Sequence, residues 1–253
     1  MTIRTEPWPT GVPSWAELSS TDPAAAAAFY GAVLGWSTDE TGPGHDGTLI
    51  CRVDGHAAAS IGRNGPRSWT LFIATRDLDE TVGRAGAAGG TVVVPAMDIG
   101  EFGRVAVVAD PTGAPVGLFQ QGEQPKSFWV NGPGGLNWED LRSADPAASR
   151  EFYAAVFGWR FEPLFEEYGT VTNPDAPHPV GGIGPLWGSE PGWLVYFGVE
   201  DVDAAVSAAQ AAGGAVVEAA HDSDYGRMAR LADPEGAQFA VFTPPAGAAQ
   251  PDR

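Results

Sequence analysis

An α+β fold of four successive β-α-β-β-β units is what this sequence predicts, on two observations. The chain repeats itself: residues Trp15 to Trp36 and Trp138 to Trp159 align without a gap at an offset of 123, with 13 identities in 22 positions. Inside each repeat, a strand, a helix and further strands succeed one another twice, the second time at lower amplitude.

The elements follow in order. Trp15 to Ser19 reads as a short strand, after which Asp22 or Thr21 caps a helix carried to Leu34 by its alanines and Phe29-Tyr30, with Gly35 as its stop. Leu49 to Val53 and Ala57 to Ile61 read as strands joined at the Asp54-Gly55 turn, a hairpin signal. A strand over Trp69 to Ala74, a helix over Leu78 to Ala88 ended by Gly89-Gly90, and strands over Thr91 to Val94, Arg104 to Val108 and Pro115 to Phe119 complete the first repeat. The second repeat offers Trp138 to Leu141, Pro146 to Phe157, Trp193 to Gly198, Val202 to Ala212, Ala215 to Glu218, Met228 to Leu231 and Gln238 to Phe242, with further strands after Trp159, near Tyr168 to Thr172 and near Val180 to Ile183. The alignment offset moves from 124 at Asp77/Asp201 back to 123 at Asp110-Pro111/Asp233-Pro234, a one-residue loop difference. The expected organisation is a first domain over 10–121, a linker over 122–134, a second domain over 135–244 and a flexible tail over 245–253.

Composition bounds the function. With 14 Lys+Arg against 32 Asp+Glu the formal charge is −18, so no nucleic-acid partner is expected, and the long-range field favours cationic ligands. The 9 Trp and 12 Phe argue for packed cores despite 34 Gly and 22 Pro. The single cysteine, Cys51, makes no intrachain disulfide and reads as a packing residue. The opening Met1 to Glu6 has no apolar core of a signal peptide, and no apolar run is long enough for a membrane helix, so a cytoplasmic protein without a membrane partner is expected.

Asp22-Pro23 with Phe29-Tyr30 and Leu34-Gly35-Trp36, their copies Asp145-Pro146, Phe152-Tyr153 and Phe157-Gly158-Trp159, and the closing Asp110-Pro111-Thr112-Gly113 and Asp233-Pro234-Glu235-Gly236 together resemble the vicinal-oxygen-chelate superfamily of glyoxalases, bleomycin-resistance proteins and extradiol dioxygenases, in its tandem actinobacterial type. The resemblance implies that the four β-α-β-β-β units form two cupped, incompletely closed mixed-sheet barrels. It also implies metal-ligand positions on the first strand of each unit and on the last strand of each repeat. Counted here, these are Trp15, Thr70, Gly117, Trp138, Leu194 and Ala240. None is a normal ligand for a divalent metal, so no metal and no cofactor is expected there.

Strand alternation puts Glu17 on the face of Trp15 and Asp140 on the face of Trp138. Arg104 and Arg227 open matching later strands and are natural partners for them through bidentate forks. The Glu17-Arg104 and Asp140-Arg227 pairs read either as braces of each half-barrel or as groups lining a pocket under the two tryptophans. Trp36 and Trp159, after helix-ending glycines, read as core plugs, whereas Trp69, Trp129, Trp187 and Trp193 at strand starts or loop edges read as aromatic rims. His45, His56, His178 and His221 fall in or near turns; His221 with Asp224, like His45 with Asp46, reads as a surface pair before it reads as a base or metal contact.

Three functional readings follow. The first is binding or sequestration of a small apolar or aromatic organic molecule by a metal-free or non-classical member of the superfamily, with Trp15, Glu17, Arg104, Trp138, Asp140 and Arg227 as ligand-binding candidates and a homodimer as a possible assembly. The second is a lyase or oxygenase with a metal at non-standard positions or with acid/base carboxylates. The third is an interaction module presenting aromatic loops.

Overall fold

The computed structural model describes residues 2–41, 47–63, 65 and 67–245. The His45-Asp46 pair and nearly all of the expected tail fall outside the described residues.

Each unit opens with a strand that leads into a helix. In the first repeat these are β2 (Pro13–Ser19), α1 (Pro23–Leu34), β3 (Ser37–Glu40), β4 (Leu49–Val53) and β5 (His56–Gly62), then β6 (Trp69–Ala74), α2 (Leu78–Ala87), β7 (Thr91–Asp98), β8 (Gly103–Ala109) and β9 (Pro115–Gln121), all preceded by β1 (Thr2–Arg4). After β10 (Phe128–Val130) the second repeat has β11 (Leu136–Ser143), α3 (Pro146–Phe157), β12 (Arg160–Phe165), β13 (Tyr168–Thr172) and β14 (Pro179–Pro185), then β15 (Gly192–Gly198), α4 (Val202–Ala211), β16 (Ala215–Ser223), β17 (Gly226–Ala232) and β18 (Gln238–Thr243).

Among the described residues the four α-helices start on an aspartate, Asp22, Asp77, Asp145 and Asp201, whose carboxylate accepts from backbone N–H groups of the first turn. Gly35 and Gly158 end α1 and α3 at φ 74° and 72°, a left-handed conformation that glycine adopts without steric cost. The β4–β5 turn has positive φ at both Asp54 and Gly55, the two-residue geometry that matches strand twist.

Two opening strands meet at the centre of each repeat. β2 runs antiparallel to β6 and parallel to β5, and β6 is parallel to β9, so the first repeat reads β3-β4-β5-β2-β6-β9-β8-β7 across its sheet. The second repeats this as β12-β13-β14-β11-β15-β18-β17-β16. Each eight-stranded cup is mixed and left open, and each pairs units that are neighbours in sequence. The segment between the repeats is not loose chain throughout: β10 is buried and pairs with β1, β5 and β11, fusing the two cups into one sheet.

Two edge strands run further than their hydrophobic pattern indicates. β7 reaches Asp98 and β16 reaches Ser223, so His221 and Asp222, expected in a loop, lie in strand opposite Met228 and Arg227. Both strands are largely exposed and bulged, and the ladder to the next strand holds them where burial does not.

Alternate strand residues face the helices and are fully buried: Ala16 and Leu18, Leu71 and Ile73, Ala106, Val116 and Leu118, and in the second repeat Leu141, Val195, Phe197, Leu231, Phe239 and Val241. Across the repeats α1 packs on α4 and α2 on α3. The Asp-Pro-x-Gly turns act at this seam. One oxygen of Asp110 accepts from the N–H groups of Thr112 and Ala114 in its own turn, while the other accepts from Ser149 Oγ of α3 at 2.7 Å. Asp233 likewise accepts from Glu235 and Ala237 of its own turn and from Tyr30 Oη of α1 at 3.2 Å. Burial raises the Asp233 carboxyl above the usual range, its turn N–H groups opposing that. Trp36 and Trp159 are core plugs whose indole N–H groups donate across the seam to the carbonyls of Gly134 and Gly11.

Candidate functional site

The faces turned away from the helices form the two cups, and their linings differ. The strand register draws matching rows across them: Trp15, Phe72, Gly117 and Val107 in the first, Trp138, Tyr196, Ala240 and Arg230 in the second. The alternation that places Glu17 beside Trp15 and Asp140 beside Trp138 is present in both.

In the first cup Trp15 Nε1 donates to Ser60 Oγ at 2.9 Å, and Ser60 Oγ donates to Glu17 Oε2 at 3.0 Å. Burial raises the Glu17 carboxyl above its ordinary value, and the Ser60 bond offsets this in part. The ring of Phe72 lies over Gly117, where an added Cβ would come within 2.2 Å of it.

In the second cup Gly182 replaces Ser60 as the residue opposite the carboxylate, and the bonding is denser. Asp140, only 7% exposed, accepts at 2.8 Å from Trp138 Nε1 and Tyr168 Oη on one oxygen and from Tyr196 Oη on the other. A buried carboxylate needs such donors, and three converge on it. Burial and the neighbouring Asp140 both push the Tyr168 and Tyr196 phenols up, so both stay protonated as donors at neutral pH. The Trp187 ring lies over Gly184 and the Tyr168 ring, with Phe165 stacked against Tyr168 at 5.0 Å. Three aromatic side chains held by one carboxylate and flanked by further rings thus line this part of the cup.

The expected arginine partners are elsewhere. Arg104 forks onto Asp79 of α2 at 2.9 and 3.1 Å, and Arg227 onto Asp203 of α4 at 2.8 and 3.0 Å with Asp222 beside it. Both lie on the helix-facing side of their strands, where the Gln120 side chain opposite Arg104 also meets α2. The Glu17-Arg104 and Asp140-Arg227 pairs are thus replaced by sheet-to-helix ion pairs. Of the four tryptophans read as rims, Trp69, Trp129 and Trp193 are buried and donate to Tyr30 Oη, the Pro133 carbonyl and Tyr153 Oη, while Trp187 is 46% exposed. His56 meets Ser127 Oγ and stacks on Trp129, His221 lies near Glu218 rather than Asp224, and His178 lines a cleft of about 240 Å³ with Arg4 and Asp175, outside both cups. Cys51 is fully buried in the core, and burial pushes its thiol up.

Sequence reasoning missed Tyr168, Tyr196, Arg142 and Arg230. Superposing the repeats holds the signal for three of them, since Tyr196, Arg142 and Arg230 stand where the first repeat has Phe72, Ser19 and Val107.

The glyoxalase-like domain model matches residues 15–119 and again 140–242. The chain belongs to the glyoxalase-like domain family. It is therefore a tandem member of the vicinal-oxygen-chelate superfamily. Among relatives of this glyoxalase-like chain, the protein named "Putative glyoxylase CFP32" of Mycobacterium tuberculosis is 37% identical over 250 residues, covering 92% of this chain and 95% of that one. The "Anthracycline biosynthesis protein DnrV" of Streptomyces peucetius is 34% identical over 256 residues, covering 91% and 92%. Among solved structures, the 2,3-dioxygenase LapB from Pseudomonas sp. KL28 superposes with a TM-score of 0.65 at 17% identity, over 96% of this chain and 97% of that one. The Mn(II)-bound glyoxalase from Novosphingobium aromaticivorans gives 0.67 at 15% identity, over 92% and 81%. At such identities the likeness is one of fold.

The donor set of this glyoxalase-like chain does not fit the divalent metal that the fold implies. The counted positions hold Trp15, Thr70, Gly117, Trp138, Leu194 and Ala240, and the register puts Phe72 and Tyr196, not Thr70 and Leu194, opposite the two tryptophans. Glu17 and Asp140 sit in different cups. Among the described residues no three His, Cys, Asp or Glu side chains form a group that could hold a metal ion. Among the same residues no helix is long and apolar enough to cross a membrane.

Proposed function

We propose that this glyoxalase-like protein binds a small, flat, aromatic organic molecule in the cup of its second repeat, without a metal at the family's ligand positions. The observation that carries this reading is the Asp140 cluster, in which one buried carboxylate fixes the rings of Trp138, Tyr168 and Tyr196 with bonds of 2.8 Å. Asp140 is a positioning residue here: its oxygens are spent on the wall, and the rings offer their faces. Trp187 at the rim adds a further face. The relative named for anthracycline biosynthesis supports a polycyclic aromatic ligand.

The test is titration of the purified chain with 1,4-dihydroxyanthraquinone, followed by tryptophan fluorescence quenching. Saturable one-site binding is expected, weakened at least about tenfold, or 1.4 kcal/mol, in Asp140→Ala, which frees both tyrosines. Non-saturable quenching, or unchanged affinity in the variant, would remove the second cup as the site. A second reading, acid/base chemistry on a ligand of the first cup, is favoured by Glu17, which lies beside Trp15 and Ser60 and whose carboxyl burial raises above its ordinary value.

A further inference from the structure

The second cup holds two positive charges that the first lacks. Arg142, at 8% exposure, shares the face of Trp138 and Asp140 on β11, and Arg230 lies in the row of Trp138 and Tyr196. The two guanidinium groups are near enough to repel, and Arg142 also acts electrostatically on Tyr196, so all three side chains share one region. Burial and Arg142 together lower the Arg230 guanidinium from its ordinary value.

Their bonding is incomplete. The Nε atoms of both arginines are shielded from solvent and have no hydrogen-bond partner. Arg230 has only the carboxylate of Glu218 at 3.7 Å, beyond hydrogen-bond reach, and among the described residues Arg142 has no carboxylate within ion-pair distance. Asp140, the nearest carboxylate along β11, is committed to Trp138, Tyr168 and Tyr196. Arg142 is thus a buried guanidinium with no anion beside it among the described residues, which costs several kcal/mol, while the half-buried Arg230 has only a long ion pair. Packing does not demand them, since the matching positions of the first repeat carry Ser19 and Val107.

We infer that Arg142 and Arg230 form an anion-recognition site in the second cup, and that the aromatic ligand carries a carboxylate that seats between them. This rests on the aromatic reading above and deepens it. The guanidinium donors left over by the protein would meet the anionic oxygens, as planar forks suit carboxylates, while the rings of Tyr168, Tyr196 and Trp138 cover the flat body. The local charge thus runs against the chain's net −18, so selection among ligands comes from the cup rather than from the surface field.

The experiment compares anthraquinone-2-carboxylate with its methyl ester on the full chain by isothermal titration calorimetry, with 1,4-dihydroxyanthraquinone alongside. The acid is expected to bind at least about tenfold tighter than the ester, a gap that closes to within threefold in Arg142→Met and in Arg230→Met and persists in Arg104→Met. Melting separates recognition from scaffolding. Arg142→Met is expected to melt at or above the wild-type temperature, because it removes an unpaired buried charge, whereas an arginine needed for folding would lower it. Equal affinity for acid and ester in the wild type, or binding of the dihydroxy compound alone, overturns the anion site and leaves the aromatic reading standing. A preference for the acid that survives both cup variants also overturns it. Binding of none of the three compounds removes both.

Discussion

Gly182→Ala is a one-carbon perturbation aimed at the second cup. Gly182 has an ordinary backbone conformation, so the substitution adds no backbone strain; what it adds is a Cβ that would stand 2.3 Å from Tyr168 Oη and 2.4 Å from Asp140 Oδ1. Ordinary contact begins near 3.4 Å, so the phenol must withdraw by about 1 Å, enough to take its 2.8 Å bond to Asp140 out of hydrogen-bond range. Losing a hydrogen bond to a buried charge costs about 1.5–3 kcal/mol. For a chain of this size that lowers Tm by about 3–12 °C. The displaced ring also intrudes on the cup, and affinity for 1,4-dihydroxyanthraquinone is expected to fall at least about tenfold. Differential scanning fluorimetry and fluorescence titration read the two effects. Gly83→Ala in α2 is the control, since an added Cβ there meets nothing within 4 Å, and it is expected to stabilise by about 0.5–1 kcal/mol. Should Gly182→Ala melt within 1 °C of wild type and keep its affinity within about twofold, the packed Asp140 cluster could not be the wall of the binding site.

Two further substitutions probe the first cup and the seam. Because burial raises the Glu17 carboxyl above 4.5, the unfolded chain loses this proton first, and ionisation costs stability as pH rises through the folded value; Glu17→Gln is expected to raise Tm at pH 7 with an advantage that shrinks toward pH 4. An advantage that grows in acid would contradict this. Tyr30→Phe strands the Trp69 indole N–H and one oxygen of Asp233 and is expected to cost about 2–4 kcal/mol in urea unfolding, so a loss below about 0.5 kcal/mol would show that the seam does not depend on that hydroxyl.

The order of elements was legible because capping and turn chemistry are local: Asp22, Asp77, Asp145 and Asp201 start helices where the sequence placed them, and Gly35 and Gly158 stop two of them. The shared face of Trp15 with Glu17 and of Trp138 with Asp140 followed from the two-residue period of a strand. The same period, applied to β8, sets Arg104 on the face of the buried Ala106 and Val108, towards the helices; similarity between repeats drew Arg104 and Arg227 into the site when it marked a sheet-to-helix ion pair. Tyr168 lies in a strand with little hydrophobic pattern, and its approach to Asp140 depends on a register that only the folded sheet fixes. Trp69 and Trp193 read as rim residues because strand ends look exposed in sequence, yet both are covered by the tyrosines of α1 and α3.

The Asp-Pro-x-Gly turns bolt each repeat to a helix of the other: Asp110 reaches Ser149, and Asp233 reaches Tyr30. The two aspartates of these turns are thus fasteners between the halves. Either half expressed by itself would expose a carboxylate and a helix flank shaped for an absent counterpart. The cups lie outside those fastenings, and in this chain the row that is apolar in one carries Arg230 in the other.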